Sequence, residues 1–135
     1  MLRFFRIYGM SVVYSLFILY VSIAPKMPDF DILDFDLKDK VMHGGAYVLF
    51  AMIVCYELYR QRYTFNDKKM FLWGILYPII YGGIIELLQE NFFPPRTGEW
   101  SDWLADIIGT LIGFFLAKYI CPKFFKPEPK GIACR

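Results

Sequence analysis

The chain has 135 residues, the length of one ordinary domain, but 57% of them are hydrophobic and the mean hydropathy is +0.39. A water-soluble fold of this composition would expose too much apolar surface, so the composition favours lipid as the solvent. The formal net charge of +2, with its basic residues scattered along the chain, excludes the basic patch of a nucleic-acid-binding protein. The three cysteines match neither a zinc motif nor a CxxC pair, and we assign them no function.

Four apolar stretches predict an all-α membrane protein, a bundle of four transmembrane helices in a single domain over residues 1–135. The stretches cover approximately residues 7–24, 41–59, 70–88 and 103–120. Each is close to the ~20 residues that a helix needs to cross the hydrocarbon core. Pro78 predicts a kink in the third helix, and residues 126–135 are expected to form a polar tail.

The first apolar stretch also has features of a cleaved signal peptide. Arg3 and Arg6 precede it, and residues 22–24 form a small-x-small pattern. Pro25 directly follows that pattern and is unfavourable for cleavage, so we expect an uncleaved first span.

The basic residues predict the orientation of the helices. Eleven of the fifteen lysines and arginines fall in the N-terminal segment, in the loop between the second and third spans, or in the C-terminal region. Basic residues are retained on the cytoplasmic side during insertion. We therefore expect a multi-pass protein of the cell membrane whose N- and C-termini are cytoplasmic.

Polar residues at helical spacing mark one face of the second, third and fourth spans. They are Asp39, Lys40, His43 and Tyr47 in the second span, Glu86 and Gln89 in the third, and Asp102 and Asp106 in the fourth. Ionisable groups in a span cost ~2.5–3.5 kcal/mol on insertion scales and are satisfied only when they face partners. We predict that these residues, with Arg96 from the loop after the third span, line one polar pocket open to the outer leaflet. Gly109 and Gly113 continue the fourth stripe as a GxxxG pattern, which permits close helix contact.

Several of these residues also have a purely structural interpretation. Arg96 and Lys40 would neutralise neighbouring carboxylates and lock the bundle. Asp39 would be the N-cap of the second helix, and Asp102 a first-turn acid favoured by the helix dipole. His43, the only histidine, would be an interfacial hydrogen-bonding residue.

Taken in order, the motifs resemble the VanZ-like family of small bacterial membrane proteins. The resemblance rests on Asp39-Lys40-x-x-His43-x-x-x-Tyr47, Glu86-x-x-Gln89, Pro95-Arg96 and Asp102-x-x-x-Asp106-x-x-Gly109-x-x-x-Gly113. It covers about residues 39–115, and it departs from the family pattern at Asp106, where the family usually has Asn. The resemblance implies a bacterial cell-envelope role and an influence on susceptibility to the glycopeptide teicoplanin, without a defined biochemical activity.

The preferred hypothesis is a module that binds an anionic lipid head group or a lipid-linked cell-wall intermediate. Arg96 and Lys40 would contact phosphate, while Gln89 and the carboxylates would hold sugar or amine groups. The expected partners are membrane lipids and a lipid-linked intermediate or a glycopeptide, with a homo-oligomer left open and no nucleic acid. Neither a metal nor another cofactor is expected.

Two further hypotheses use the same residues differently. In an enzyme, His43 and Glu86 would be an acid/base pair, or His43, Asp102 and Asp106 would hold a divalent metal that activates water. The substrate would be a lipid-linked phosphate or glycan. In a small transporter, Glu86 and the two aspartates would relay protons, but four spans leave little room for two gates.

Overall fold

The computed structural model describes residues 2–24, 36–94 and 98–127, which form four helices and no strand. They are α1 (Leu2–Ile23), α2 (Asp36–Arg60), α3 (Lys68–Phe92) and α4 (Trp100–Phe124). Each contains a segment of 20 to 25 residues that is long and apolar enough to cross a membrane, or about 30–37 Å at 1.5 Å per residue. The prediction of an all-helical chain with four helices of membrane-spanning length is confirmed.

The described bundle exposes apolar side chains and buries polar ones. On α4 the side chains that are more than half exposed include Leu104, Ile108, Phe115 and Tyr119. The buried polar residues of the same helix are Asp102, Asp106 and Thr110. This distribution is the reverse of the one expected in water, and it fits a bundle whose outer surface contacts lipid.

Helices α2 and α4 make the closest helix pair among the described residues, and two glycines allow it. A Cβ atom at Gly109 would overlap the carbonyl oxygen of Gly44, and one at Gly113 would overlap the carbonyl oxygen of Val48. The GxxxG pattern therefore faces α2, as its spacing predicts. Because the backbones touch, the polar faces of α2 and α4 are brought together one turn away.

Helix α3 changes its hydrogen-bonding pattern just before Pro78. It is α-helical over Lys68–Phe71, π-helical over Leu72–Leu76 and α-helical again over Tyr77–Phe92. Pro78 has no N–H to donate to the carbonyl four residues earlier, and its ring crowds that carbonyl. The wider π-helical turn accommodates the proline, so the kink predicted here takes the form of a change in helix type.

Helix α1 is attached to α3 by hydrogen bonds from its serine face. The Tyr81 hydroxyl donates to the Ser15 carbonyl oxygen at 2.6 Å, and the Ser15 hydroxyl lies 3.0 Å from the Tyr77 hydroxyl. Nearer the other end of α1, Gln89 Nε2 donates to the Ser22 carbonyl oxygen at 2.8 Å. These contacts hold α1 against the bundle through polar groups that would otherwise face lipid.

Glu57 of α2 accepts hydrogen bonds from backbone N–H groups at a break in α1. The backbone of Tyr8 leaves helical geometry, with φ of −117° and ψ of 16°. The Met10 N–H donates to Glu57 Oε1 at 2.8 Å, and both the N–H and the hydroxyl of Ser11 donate to the same carboxylate. Glu57 is only 4% exposed, so its carboxylate supplies the acceptors that the broken helix lacks.

Candidate functional site

One end of the bundle gathers the polar residues of α2, α3 and α4, and we call it the polar end. Here the first turns of α2 and α4 meet the last turns of α3. Lys40 Nζ of α2 lies 4.0 Å from Asp102 Oδ1 of α4. The backbone N–H of Glu99, directly before α4, donates to Glu86 Oε2 of α3 at 2.9 Å. The three stripes predicted from the sequence therefore face one another.

His43 lies between two aspartates of α4. Its Nδ1 atom is 3.3 Å from Asp106 Oδ1, and its Nε2 atom is 4.0 Å from Asp102 Oδ2. The aspartates are four residues apart and so lie on one face of α4. Each ring nitrogen therefore has a carboxylate nearby, which fixes the orientation of the imidazole.

Glu86 brings a third carboxylate to the same point. One ligand atom from each of His43, Glu86 and Asp106 lies within 4.8 Å of the other two. Glu86 is 5% exposed, and its Oε1 atom has no hydrogen-bond partner among the described residues. A buried carboxylate oxygen without a partner is costly, which makes this atom a candidate for contact with a ligand.

Tyr47 and Gly82 lie on the buried side of the cluster that His43, Glu86 and Asp106 form. A Cβ atom at Gly82 would lie 2.8 Å from Asp106 Oδ2 and 3.1 Å from the Tyr47 hydroxyl oxygen. Tyr47 is 2% exposed, and its hydroxyl also lacks a hydrogen-bond partner within the described ranges. The cluster thus contains one unpartnered carboxylate oxygen, on Glu86, and has one unpartnered hydroxyl, on Tyr47, beside it.

The described part of the polar end carries an excess of negative charge. Its carboxylates belong to Glu86, Glu99, Asp102 and Asp106. Lys40 lies 4.0 Å from carboxylate oxygens of both Glu99 and Asp102, and His43 is the other basic side chain among these contacts. Such a site attracts cations and amine groups more strongly than a bare anion.

A cavity of about 270 Å³ adjoins the polar end and passes between α1 and α2. Its apolar lining includes Phe17, Ile18, Val21, Met42, Ala46 and Ile85. His43, Tyr47 and Asp106 contribute its polar lining, together with Ser22. The cavity reaches the surface of the bundle because Val21 and Met42 are exposed. A cavity whose apolar walls lead to convergent polar groups suits an amphiphilic ligand.

Most of the residues predicted for the pocket meet at the polar end. They are Lys40, His43, Tyr47, Glu86, Asp102 and Asp106. Gln89 is also buried, but its amide N–H binds the Ser22 carbonyl oxygen of α1, so this hydrogen bond joins helices. Arg96 lies outside the described residues.

The structural interpretations of two aspartates have different outcomes. Helix α2 begins at Asp36, so Asp39 lies inside the helix and the prediction that it is the N-cap is wrong. The apolar stretch that predicted this span begins at residue 41, but the helix begins about one turn earlier, in polar sequence. The side chain of Asp39 is not among those described. Asp102 does lie in the first turn of α4, where its charge interacts favourably with the helix dipole.

Two residues that shape the site and one that shapes the bundle were not predicted from the sequence. Gly82 was not recognised, because its role depends on which face of α3 meets Asp106. Glu99 was not recognised as a partner of Glu86, because its backbone N–H makes the contact. Glu57 could have been found, since it is an ionisable residue inside an apolar span.

Comparison of the chain with protein-family models, with curated proteins and with solved structures found no match. The resemblance to the VanZ-like family therefore stays an expectation that rests on the sequence motifs.

Proposed function

We propose that this chain is a multi-pass protein of the bacterial cell membrane that binds the polar head of an anionic lipid or of a lipid-linked cell-wall intermediate. The observation that carries this proposal is the cavity between α1 and α2, whose apolar walls lead to His43 and Asp106. An amphiphile bound there would lay its hydrocarbon chain along Ile18 and Val21 and place its head group beside the histidine.

In this proposal the polar end faces the outside of the cell, and both termini are cytoplasmic. The support comes from the basic residues, eleven of which belong to the N-terminal segment, the α2–α3 loop and the C-terminal region. A polar end in the outer leaflet is within reach of lipid-linked intermediates after they have crossed the membrane.

An anionic head group needs positive charge at a site that is rich in carboxylates. Lys40 is partly exposed at the polar end, and its ammonium group is proposed to contact a phosphate oxygen of the head group. Arg96, which follows α3 in the sequence, is proposed as a second phosphate contact. The Glu99 and Asp102 carboxylates would accept hydrogen bonds from sugar hydroxyls or amines of the same head group.

Native mass spectrometry of the protein released from bilayers of defined composition tests this proposal. The bilayers contain phosphatidylcholine with either phosphatidylglycerol or a polyprenyl phosphate. We expect an anionic lipid to remain bound to the natural chain and to be lost from His43→Ala, which removes the polar contact, and from Val21→Trp, which fills the cavity mouth.

Ile80→Trp is the matched control, because Ile80 is an exposed apolar residue of α3 outside the cavity lining. It should retain the lipid as the natural chain does. Equal retention by all four proteins would contradict a specific site and leave only general contact with the bilayer.

The family resemblance adds a cellular consequence to the proposal. A protein that occupies a lipid-linked cell-wall intermediate would alter the amount available to a glycopeptide antibiotic. We expect expression of the chain in a susceptible bacterial host to change its teicoplanin susceptibility, and His43→Ala to remove the change.

A membrane-embedded enzyme is the second candidate, and the distance of 3.3 Å between His43 Nδ1 and Asp106 Oδ1 favours it. A histidine oriented by a carboxylate, with Glu86 beside it, has the arrangement of a general acid or base. Its substrate would be a lipid-linked phosphate or glycan. Release of phosphate or sugar from the lipids retained in the assay above would favour this candidate, whereas unchanged lipid masses favour the binding module.

A further inference from the structure

We propose that His43, Glu86 and Asp106 bind one divalent transition-metal ion, and that they prefer Zn²⁺ to Mg²⁺. The three residues come from three different helices and place a ligand atom each within 4.8 Å of the others. This is a different set from the one considered in the sequence, because Glu86 of α3 takes the place of Asp102.

The chemistry of the three side chains determines the class of ion. Zn²⁺ binds both imidazole nitrogen and carboxylate oxygen, and its open sites use three protein ligands, which is the number offered here. Mg²⁺ prefers an all-oxygen shell and retains several waters, so a histidine disfavours it. An ion with three protein ligands keeps a fourth position for water or for a ligand oxygen.

The spacing of the ligand atoms fits such an ion. Two ligands bound at about 2.0–2.1 Å in a tetrahedron are about 3.3 Å apart, which is the distance between His43 Nδ1 and Asp106 Oδ1. The widest separation in the group is no more than 4.8 Å. A movement of the Glu86 side chain by about 1.5 Å would reduce this separation to about 3.3 Å, and a small torsional rotation provides such a movement.

Two buried groups without partners also support the site, and one of them, the Tyr47 hydroxyl, lies outside the cluster of ligands. Glu86 Oε1 and the Tyr47 hydroxyl lack hydrogen-bond partners among the described residues, and both side chains are more than nine-tenths buried. A metal ion bound to Glu86 Oε1 would satisfy that oxygen. The Tyr47 hydroxyl faces Gly82 as the Asp106 carboxylate does, and it would donate to a metal-bound carboxylate or water.

Contacts around the cluster would hold the ligands in position. The Glu99 N–H already binds Glu86 Oε2 at 2.9 Å and leaves Oε1 for the ion. When Nδ1 of His43 binds the ion, the Nε2–H group points toward Asp102, whose Oδ2 lies 4.0 Å away. A carboxylate beside the second ring nitrogen is the usual support of a metal-bound histidine.

The ion would also explain how an acidic site receives an anionic ligand. It offsets the charge of two carboxylates and offers its open position to a phosphate oxygen. This role rests on the proposed lipid function, whereas binding of the ion itself does not.

The binding test uses tag-free protein purified in detergent, so that His43 is the only histidine. Equilibrium dialysis against buffered free Zn²⁺, followed by elemental analysis, gives stoichiometry and affinity. We expect one Zn²⁺ per chain, and Glu86→Gln and Asp106→Asn to weaken the affinity about tenfold or more. Glu90→Gln, which changes an exposed glutamate on the same helix as Glu86, is the control and should bind as the natural chain does.

A second measurement needs no variant and therefore does not depend on whether a variant folds. Protein labelled with ¹⁵N-histidine gives the imidazole nitrogen signals of His43 alone, and Zn²⁺ should shift the Nδ1 signal strongly. An unshifted Nδ1 signal under saturating Zn²⁺, or equal Zn²⁺ affinity in all four proteins, would overturn the proposal. A natural chain that binds Zn²⁺ but retains no anionic lipid would contradict the lipid proposal alone.

Discussion

Gly82 of α3 lies directly against the Asp106 carboxylate of α4, and no side chain fits between them. A Cβ atom at Gly82 would stand 2.8 Å from Asp106 Oδ2 and 3.1 Å from the Tyr47 hydroxyl oxygen of α2. Three spans therefore meet at this glycine. The position of Asp106 beside His43 depends on it, because any larger residue would push the carboxylate away.

Replacing Gly82 by alanine should weaken ligand binding more than it weakens the fold. The added methyl group displaces the Asp106 carboxylate, so Zn²⁺ affinity should fall about tenfold or more, as measured by equilibrium dialysis. Gly83→Ala is the control, because its methyl group meets the Trp103 ring, 3.2 Å from Nε1, and lies away from the site. Equal Zn²⁺ affinity in the two variants would contradict the importance of Gly82.

Close contact between α2 and α4 should make the GxxxG glycines important for stability. A methyl group at Gly109 or Gly113 would overlap a carbonyl oxygen of α2, so each alanine variant should lose about 1–3 kcal/mol in free energy of unfolding. Chemical unfolding in detergent provides the measurement. Gly45→Ala should lose nothing, since a Cβ at Gly45 meets no atom within 4 Å. Similar losses in all three variants would contradict the importance of these contacts, since helix propensity alone favours alanine over glycine.

The Glu57 carboxylate should stabilise the chain without affecting the polar end. Glu57→Ala leaves the N–H groups of Met10 and Ser11 without acceptors, at a cost of about 1–3 kcal/mol for each buried group. Glu57→Gln keeps one acceptor oxygen and should lose less. Thermal unfolding should rank the proteins in this order, with Zn²⁺ stoichiometry unchanged. A Glu57→Ala protein as stable as the natural chain would contradict the role of Glu57 in completing α1.

The sequence was sufficient for the helices and for the meeting of their polar faces. Period-four spacing places His43 and Tyr47 on one side of α2, and Asp102 and Asp106 on one side of α4. Because lone charges in lipid are costly, these polar faces were expected to meet. The GxxxG glycines of α4 indicated the face on which α4 contacts another helix. The boundaries were less accurate, since α2 and α4 continue beyond their apolar stretches into polar first turns.

The partners of individual groups could not be predicted from spacing. Gln89 lies on the same face of α3 as Glu86, yet it binds the Ser22 carbonyl oxygen, because α1 packs against that part of the helix. Ser11, Ser15 and Ser22 stand at helical spacing and mark the buried face of α1, but spacing does not reveal which group each serine meets. The backbone N–H of Glu99 reaches Glu86 through the path of the chain that precedes α4, which side-chain patterns do not reveal.

Orientation in the membrane can be measured with single cysteines in a chain whose three natural cysteines are replaced by alanine. Asn66, in the α2–α3 loop, and Asn91, near the end of α3 at the polar end, are both exposed. The basic residues predict that a membrane-impermeant thiol reagent applied to intact cells labels Asn91→Cys and spares Asn66→Cys. The reverse pattern would place the polar end in the cytoplasm. Labelling of both after the cells are opened controls for reactivity.

Photocrosslinking in living cells tests most directly whether the cavity beside His43 holds a specific lipid. A small aliphatic diazirine amino acid, which unlike tryptophan leaves the cavity open, replaces Val21 at the cavity mouth, or Ile80 on the exposed face of α3, and mass spectrometry identifies the lipid that each position captures. Position 21 should capture an anionic or lipid-linked head group that position 80 does not, and His43→Ala should abolish this capture. The same bulk lipids at both positions, with or without His43, would contradict a lipid-binding site at the polar end.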